Sequence, residues 1–125
     1  MLFEEYKLKN VSLRNRVVMA PMTRNQSPGG VPTDDVISYY SRRAKAVVGM
    51  IITEGIEVSH EASSAYPNVP RLDSNDAKEG WKKVVAGIKN NHGVVIAQLW
   101  HCGGFRKLGM QPNPEVPGYT ASGLV

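Results

Sequence analysis

The spacing of apolar residues along the chain changes period several times. Val17-Val18-Met19-Ala20 runs without a polar break and stops at Pro21, which predicts a short strand buried on both faces. From residue 36 the spacing switches: Val36, Ile37, Tyr40, Ala44 and Val47 recur three and four apart, as on one face of a helix. Thr33 stands where an N-cap belongs, and Asp34 and Asp35 complement the positive end of that helix. Gly49 helps to end it, and Met50-Ile51-Ile52-Thr53 predicts a second buried strand. Ala77, Trp81, Val84, Val85 and Ile88 outline a second helix, capped by Asp73 or Ser74, with Gly93 in the position of a C-terminal stop. Val94 to Leu99 is the third strand. Residues 6–13, YKLKNVSL, alternate loosely and suit a short extended piece or a hairpin arm.

Between these elements lie a turn-rich stretch at 25–33, a long loop from Glu54 to Leu72, and a proline- and glycine-rich run after the third strand. Apolar strands joined by helical crossovers predict a parallel α/β sheet. The loops after strands are long and polar-aromatic, and those after helices are short. That is the layout of a (β/α)8 TIM barrel, whose sites gather at the C-terminal strand ends; a doubly wound open sheet is the alternative. A full barrel has eight strands in roughly 250 residues, and this chain supplies the first three strands and two helices. The expectation is the N-terminal part of one barrel domain, residues 1–125, with the remaining strands absent, an unpartnered inner face and two open sheet edges.

Composition adds limits. Apolar residues make up 42% and charged residues 21%, which fits a globular chain. The apolar runs are too short for a membrane span, and the opening MLFEEYKLKN is charged from its fourth residue, unlike a signal peptide. A single cysteine, Cys102, excludes an internal disulfide and suits a reducing, cytoplasmic setting. The net charge of +4 comes from scattered basic residues, so no nucleic-acid surface is expected.

The chemistry concentrates at the strand ends. The first strand leads into Pro21-Met22-Thr23-Arg24, the second into Glu54-Gly55, and the third finishes Gln98-Leu99-Trp100-His101. A hydroxyl, a glycine amide, a carboxamide and a flat aromatic suit a neutral planar heterocycle. The runs RNRVVMAPMTR, IITEG and AQLWHCG, with the closing QPNPEVPGYTASGL, occur in series over essentially all of the chain. Together they resemble the Old Yellow Enzyme family of FMN-dependent NAD(P)H:flavin oxidoreductases and ene-reductases. The resemblance implies a (β/α)8 barrel with FMN at its C-terminal mouth, NAD(P)H as reductant and an activated alkene of the enone type as substrate. By position it implies that Pro21 and Met22 lie beside the isoalloxazine and that Thr23 tunes the flavin near its C4 carbonyl. Gly55 would admit the same flavin edge, Gln98 would bond the pyrimidine, and Trp100 would form a substrate wall. Gly104 stands where the family often has arginine. The family's substrate-clamping histidine/asparagine or histidine/histidine pair and its phosphate site have no counterpart among these residues, so the chain alone is expected to have little or no activity, with a complementary barrel fragment or self-association completing it. The other reading is a non-catalytic half-barrel that self-associates and binds flavin weakly or not at all.

Blander roles compete at several positions. Glu54 suits an anchor of the mouth better than a base, and His101 a loop hydrogen bond better than catalysis. Cys102 reads as a small buried residue, with a reactive thiol as the alternative. His60, His92 and His101 show no metal-ligand spacing, and Gly29-Gly30 and Gly103-Gly104 lack the setting of a phosphate loop.

Overall fold

A computed structural model describes residues 1–124. The loosely alternating N-terminal stretch folds as a hairpin, β1 (Tyr6–Leu8) against β2 (Val11–Leu13). The first strand is shorter than its apolar run, only β3 (Val18–Met19), and it is not buried on both faces: Val18 is exposed and Met19 half-buried. Helix α1 (Asp34–Lys45) starts at the expected cap, where Thr33 Oγ1 accepts from the Val36 N–H at 3.4 Å. It ends two residues before Val47, which is left 54% exposed. Strand β4 (Met50–Glu57) follows, then α2 (Asn75–Lys89) and β5 (Val94–Trp100). Ser74, not Asp73, caps α2 by accepting from the Ala77 N–H at 3.1 Å. The closing segment adds a minimal hairpin, β6 (Tyr119–Thr120) with β7 (Gly123–Leu124).

Strands β3, β4 and β5 form one parallel sheet with β4 in the centre. Both helices cover the same face. Val36, Tyr40 and Ala44 of α1 and Trp81, Val84 and Ile88 of α2 close over Ile51 and Ile56 of β4. The other face lacks such a cover: Val18 is 43% and Ile96 45% exposed. This matches the expected part of a barrel, with the helical layer outside and the inner face open; the described residues form no closed barrel.

The short turns below the sheet are fixed by the polar run ahead of β3. The Arg14 guanidinium donates to the carbonyls of Ala44, Val48 and Asn91, satisfying acceptors that the ends of both helices leave free. Asn15 donates to the Val47 carbonyl at 2.6 Å. The α2 stop differs from expectation. His92, not Gly93, takes the left-handed conformation, with φ of 58°. Gly93 is required for packing, since a Cβ there would sit 2.8 Å from Ile88 Cγ2 and 3.1 Å from Ala44 Cβ.

The largest departure is the length of β4. Beyond Thr53 the chain continues the strand to Glu57, with Glu54 and Glu57 buried, so the loop that follows is shorter than its sequence suggests. A slip in the pairing with β5 between Ile52 and Gly55 lets the strand carry them.

Candidate active site

The C-terminal end of the sheet is organised around Glu54. Its side chain is fully buried and forms an ion pair with Arg24, itself only 14% exposed. The Arg24 backbone N–H donates to the second carboxylate oxygen at 3.3 Å. From the helical layer, the Tyr40 hydroxyl donates to Glu54 Oε1 at 3.3 Å and accepts from the Glu54 N–H at 2.8 Å. Burial raises the Tyr40 phenol well above its ordinary range, so it remains a donor. The Arg24 guanidinium lies 3.8 Å from the Tyr39 ring centroid, and Arg43 lies 3.4 Å from the same ring. Arg24 therefore cannot swing freely, and the residues just before it, Pro21 to Thr23, are held at the mouth. Met22 is 51% exposed there, and Thr23 is exposed.

Beside this anchor, Gly55 pairs with Gln98 across the β4–β5 ladder. The Gln98 N–H donates to Thr53 Oγ1 at 3.1 Å, while within the described residues its half-buried carboxamide makes no hydrogen bond. Two positions on, Glu57 pairs with Trp100, so Gly55, Gln98 and Trp100 share the face turned away from the helices. The space over Gly55 is already taken: a Cβ added there would lie 2.2 Å from Trp100 Cε3. The glycine thus admits the indole. Tyr66 stacks against that indole at 6.0 Å and 22°, and Phe105 stacks on Tyr66 at 6.0 Å and 24°. Gly55→Ala should expel the indole from its seat, shifting tryptophan emission to the red; an unchanged spectrum would show that the contact is not obligatory.

The loops above are tied by Arg106, a buried guanidinium whose N–H groups donate to the carbonyls of Val116, Ser64, Gln111, Met110 and Asn113. A polar cavity of about 290 Å³ lies between the loop after β4 and the closing segment, lined by Glu57, His60, Glu61, Arg71 and Asn113 among others. Burial pushes the Glu57 carboxyl up, against the pull of Ser64 and Arg71. Burial also raises the Cys102 thiol, so the structure favours the small buried residue over a reactive nucleophile.

The structure thus brings Pro21, Met22, Thr23, Gly55, Gln98 and Trp100 to one end of one sheet. His101 makes the expected loop bond, its Nδ1 accepting from the Gly103 N–H at 2.9 Å. Tyr66 and Arg106 were missed by the sequence reading. Tyr66 stands in a loop without periodicity, and a lone arginine in a polar segment carries no sign that it is buried.

This arrangement can be compared with known proteins. A family model described as the NADH:flavin oxidoreductase / NADH oxidase family matches residues 1–123. The chain is 38% identical over 116 residues to 12-oxophytodienoate reductase 7 of Oryza sativa subsp. japonica, covering 93% of this chain and 29% of that protein. It is 35% identical to 12-oxophytodienoate reductase 2 of Arabidopsis thaliana, covering 93% of this chain and 30% of that one. Among solved structures, morphinone reductase superposes with a TM-score of 0.81 at 35% identity, over 90% of this chain and 29% of its own. A complex of morphinone reductase with tetrahydroNAD gives 0.79 at 34% identity, over 90% and 30%. The chain spans about 30% of the length of these two curated relatives.

Proposed function

The chain belongs to the NADH:flavin oxidoreductase / NADH oxidase family, and from that premise we propose that it supplies part of the FMN cradle of an ene-reductase. The reaction is hydride transfer from NAD(P)H, through the flavin, to an activated alkene of the enone type. FMN, when bound, supplies the two-electron chemistry; this chain's residues supply contacts and orientation. One observation carries the reading: a Gln98 carboxamide without a hydrogen-bond partner among the described residues, beside Gly55 at the mouth of a parallel sheet. A carboxamide offers both donor and acceptor, as the pyrimidine edge of a flavin requires.

Pro21, Met22 and Thr23 fit the same ligand, since the Glu54–Arg24 anchor fixes their backbone while leaving them accessible. Thr23 presents a hydroxyl that donates to a carbonyl oxygen more strongly as negative charge builds there. Gly55 fits only in part, because the indole of Trp100 fills its open side. Gly55 and Trp100 therefore act as one unit, the glycine seating the aromatic that walls the substrate. Further barrel strands, from a complementary fragment or a second copy, would cover the exposed inner face, and the chain alone is expected to have little or no activity.

Titration with FMN, followed by quenching of flavin fluorescence, tests this reading. Gln98→Leu should weaken binding about tenfold through loss of paired hydrogen bonds; equal affinity in parent and variant would remove Gln98 from the cradle. The exposed Val18 and Ile96 favour a second reading, a self-associating half-barrel without catalysis. Light scattering showing a dimer or larger species, with no flavin taken up, would select it.

A further inference from the structure

Glu57, the last residue of β4, is 7% exposed, and its Oε1 has no hydrogen-bond partner among the described residues. A cation stands beside it on the backbone. Glu57 and Arg71 form a parallel bridge, in which the Glu57 N–H donates to the Pro70 carbonyl at 2.9 Å. Yet the Arg71 guanidinium is drawn away to Asp73 at 2.6 Å. Its stem lies against Gly30, where a Cβ would sit 2.7 Å from Arg71 Cδ. The other donors close by are committed as well. The single proton of the Ser64 hydroxyl goes to the Tyr66 carbonyl at 2.7 Å, and Arg106 is ringed by carbonyls. His60 meets His101, with His60 Nδ1 and His101 Nε2 3.2 Å apart.

Glu57 lines the polar cavity of about 290 Å³ between the loop after β4 and the closing segment. With Arg71 and Pro112 it also lines a second, of about 260 Å³, toward Gly30 and Tyr66. We propose that the larger cavity binds a small primary amine in its ammonium form, with the Glu57 carboxylate as its counter-ion. None of the residues around it is among those proposed to meet the flavin.

A buried carboxylate without donors is costly, and a charged N–H donor offsets that cost most directly. Burial pushes the Glu57 carboxyl up, as expected of a carboxylate that lacks its cation. The lining carries the carboxylates of Glu57 and Glu61 against one guanidinium whose charge Asp73 already balances. Its field therefore favours a cation. An ammonium has three hydrogens to place, and Glu57 takes one. Asn113 offers its carboxamide oxygen, since its Nδ2 is used on the Glu61 carbonyl at 2.8 Å. The Ser59 and Ser63 residues line the same space, and their hydroxyls suit a polar group on the amine's chain.

Titration of the full chain with 2-aminoethanol hydrochloride, followed by amide NMR at constant pH and ionic strength, tests the site. Saturable shifts are expected at Ser63, Ser64 and Asn113, with about millimolar affinity for a ligand of so few atoms. Potassium chloride lacks N–H donors and ethylene glycol lacks charge, so neither should reproduce them. Glu57→Gln should weaken binding about tenfold, the value of a charge-assisted hydrogen bond. The substitution breaks no ion pair of the folded chain, so the circular dichroism spectrum should stay as it is. Asp73→Asn should weaken binding about threefold, the value of a modest exposed charge effect, because Arg71 is then uncompensated beside the cavity. No saturable shift, equal shifts with potassium chloride or ethylene glycol, or full affinity in either variant would each overturn the proposal.

Discussion

Glu54→Ala is expected to cost the fold about 3–5 kcal/mol, the range for removing one member of a buried ion pair. The variant leaves Arg24 charged, nearly buried and without its carboxylate. It also takes away the acceptor of the Tyr40 hydroxyl and of the Arg24 backbone N–H. Most of the cost is the penalty of that stranded charge rather than the attraction of the pair itself. Glu54→Gln should cost less, because the amide oxygen still accepts from Tyr40 or Arg24. Urea unfolding followed by circular dichroism gives both values. The exposed pair Lys82–Glu79, at 71% and 63% side-chain exposure, provides the contrast: removing it should change stability by less than about 1 kcal/mol. A Glu54→Ala cost as small as that would mean the mouth is held by backbone bonds alone. Because Arg24 directly follows Thr23, Glu54→Ala should also loosen the Pro21–Thr23 segment proposed to meet the flavin.

Trp81→Ala is the second large loss expected, about 3–5 kcal/mol for truncating a buried aromatic. Trp81 is 5% exposed and packs among Tyr40, Val84 and Ile88 where the two helices meet the sheet. Its indole N–H also donates to the Arg71 carbonyl at 2.9 Å. Trp81→Phe separates these contributions, keeping most of the packing while removing the bond, for a loss of about 1 kcal/mol. Arg71 in turn donates its N–H to the Gly30 carbonyl at 2.8 Å, so the Ala variant disturbs the loops above the helical layer as well as the core. Thermal unfolding of the two variants distinguishes the terms. Equal losses would assign the effect to the hydrogen bond, against the packing argument.

Local rules served the sequence reading well wherever a partner lay within a turn or two. Ser74 caps α2 because its hydroxyl needs an amide only three residues away, and the helical face from Val36 to Ala44 follows from period alone. Strand β4 was cut short for the opposite reason. Glu54 and Gly55 look like the start of a loop until their partners are known, and those partners are Arg24 with Tyr40, and Trp100. A buried carboxylate becomes acceptable only once a distant guanidinium and phenol satisfy it. The grouping of Thr23, Gly55, Gln98 and Trp100 at one sheet end was legible from topology, because parallel strands bring equivalent ends together. That Trp100 rests on Gly55, and that Tyr66 stacks on Trp100, depends on side-chain packing that spacing does not encode. The His60–His101 contact is another case, since neither histidine has any local sign of the other.

Arg106 has a consequence for how the upper loops come to order. Its guanidinium gathers carbonyls from Ser64, on one loop, and from Met110 to Val116, on another. The closing segment supplies four of the five carbonyls and Ser64 the fifth, and a buried guanidinium that loses an acceptor is costly. The two loops therefore share a single ordering transition, organised around a cation that belongs to the chain itself. A loss of structure that begins at Asn113 should be felt at Ser64 at the same moment, and through Tyr66 at the aromatic wall of the mouth.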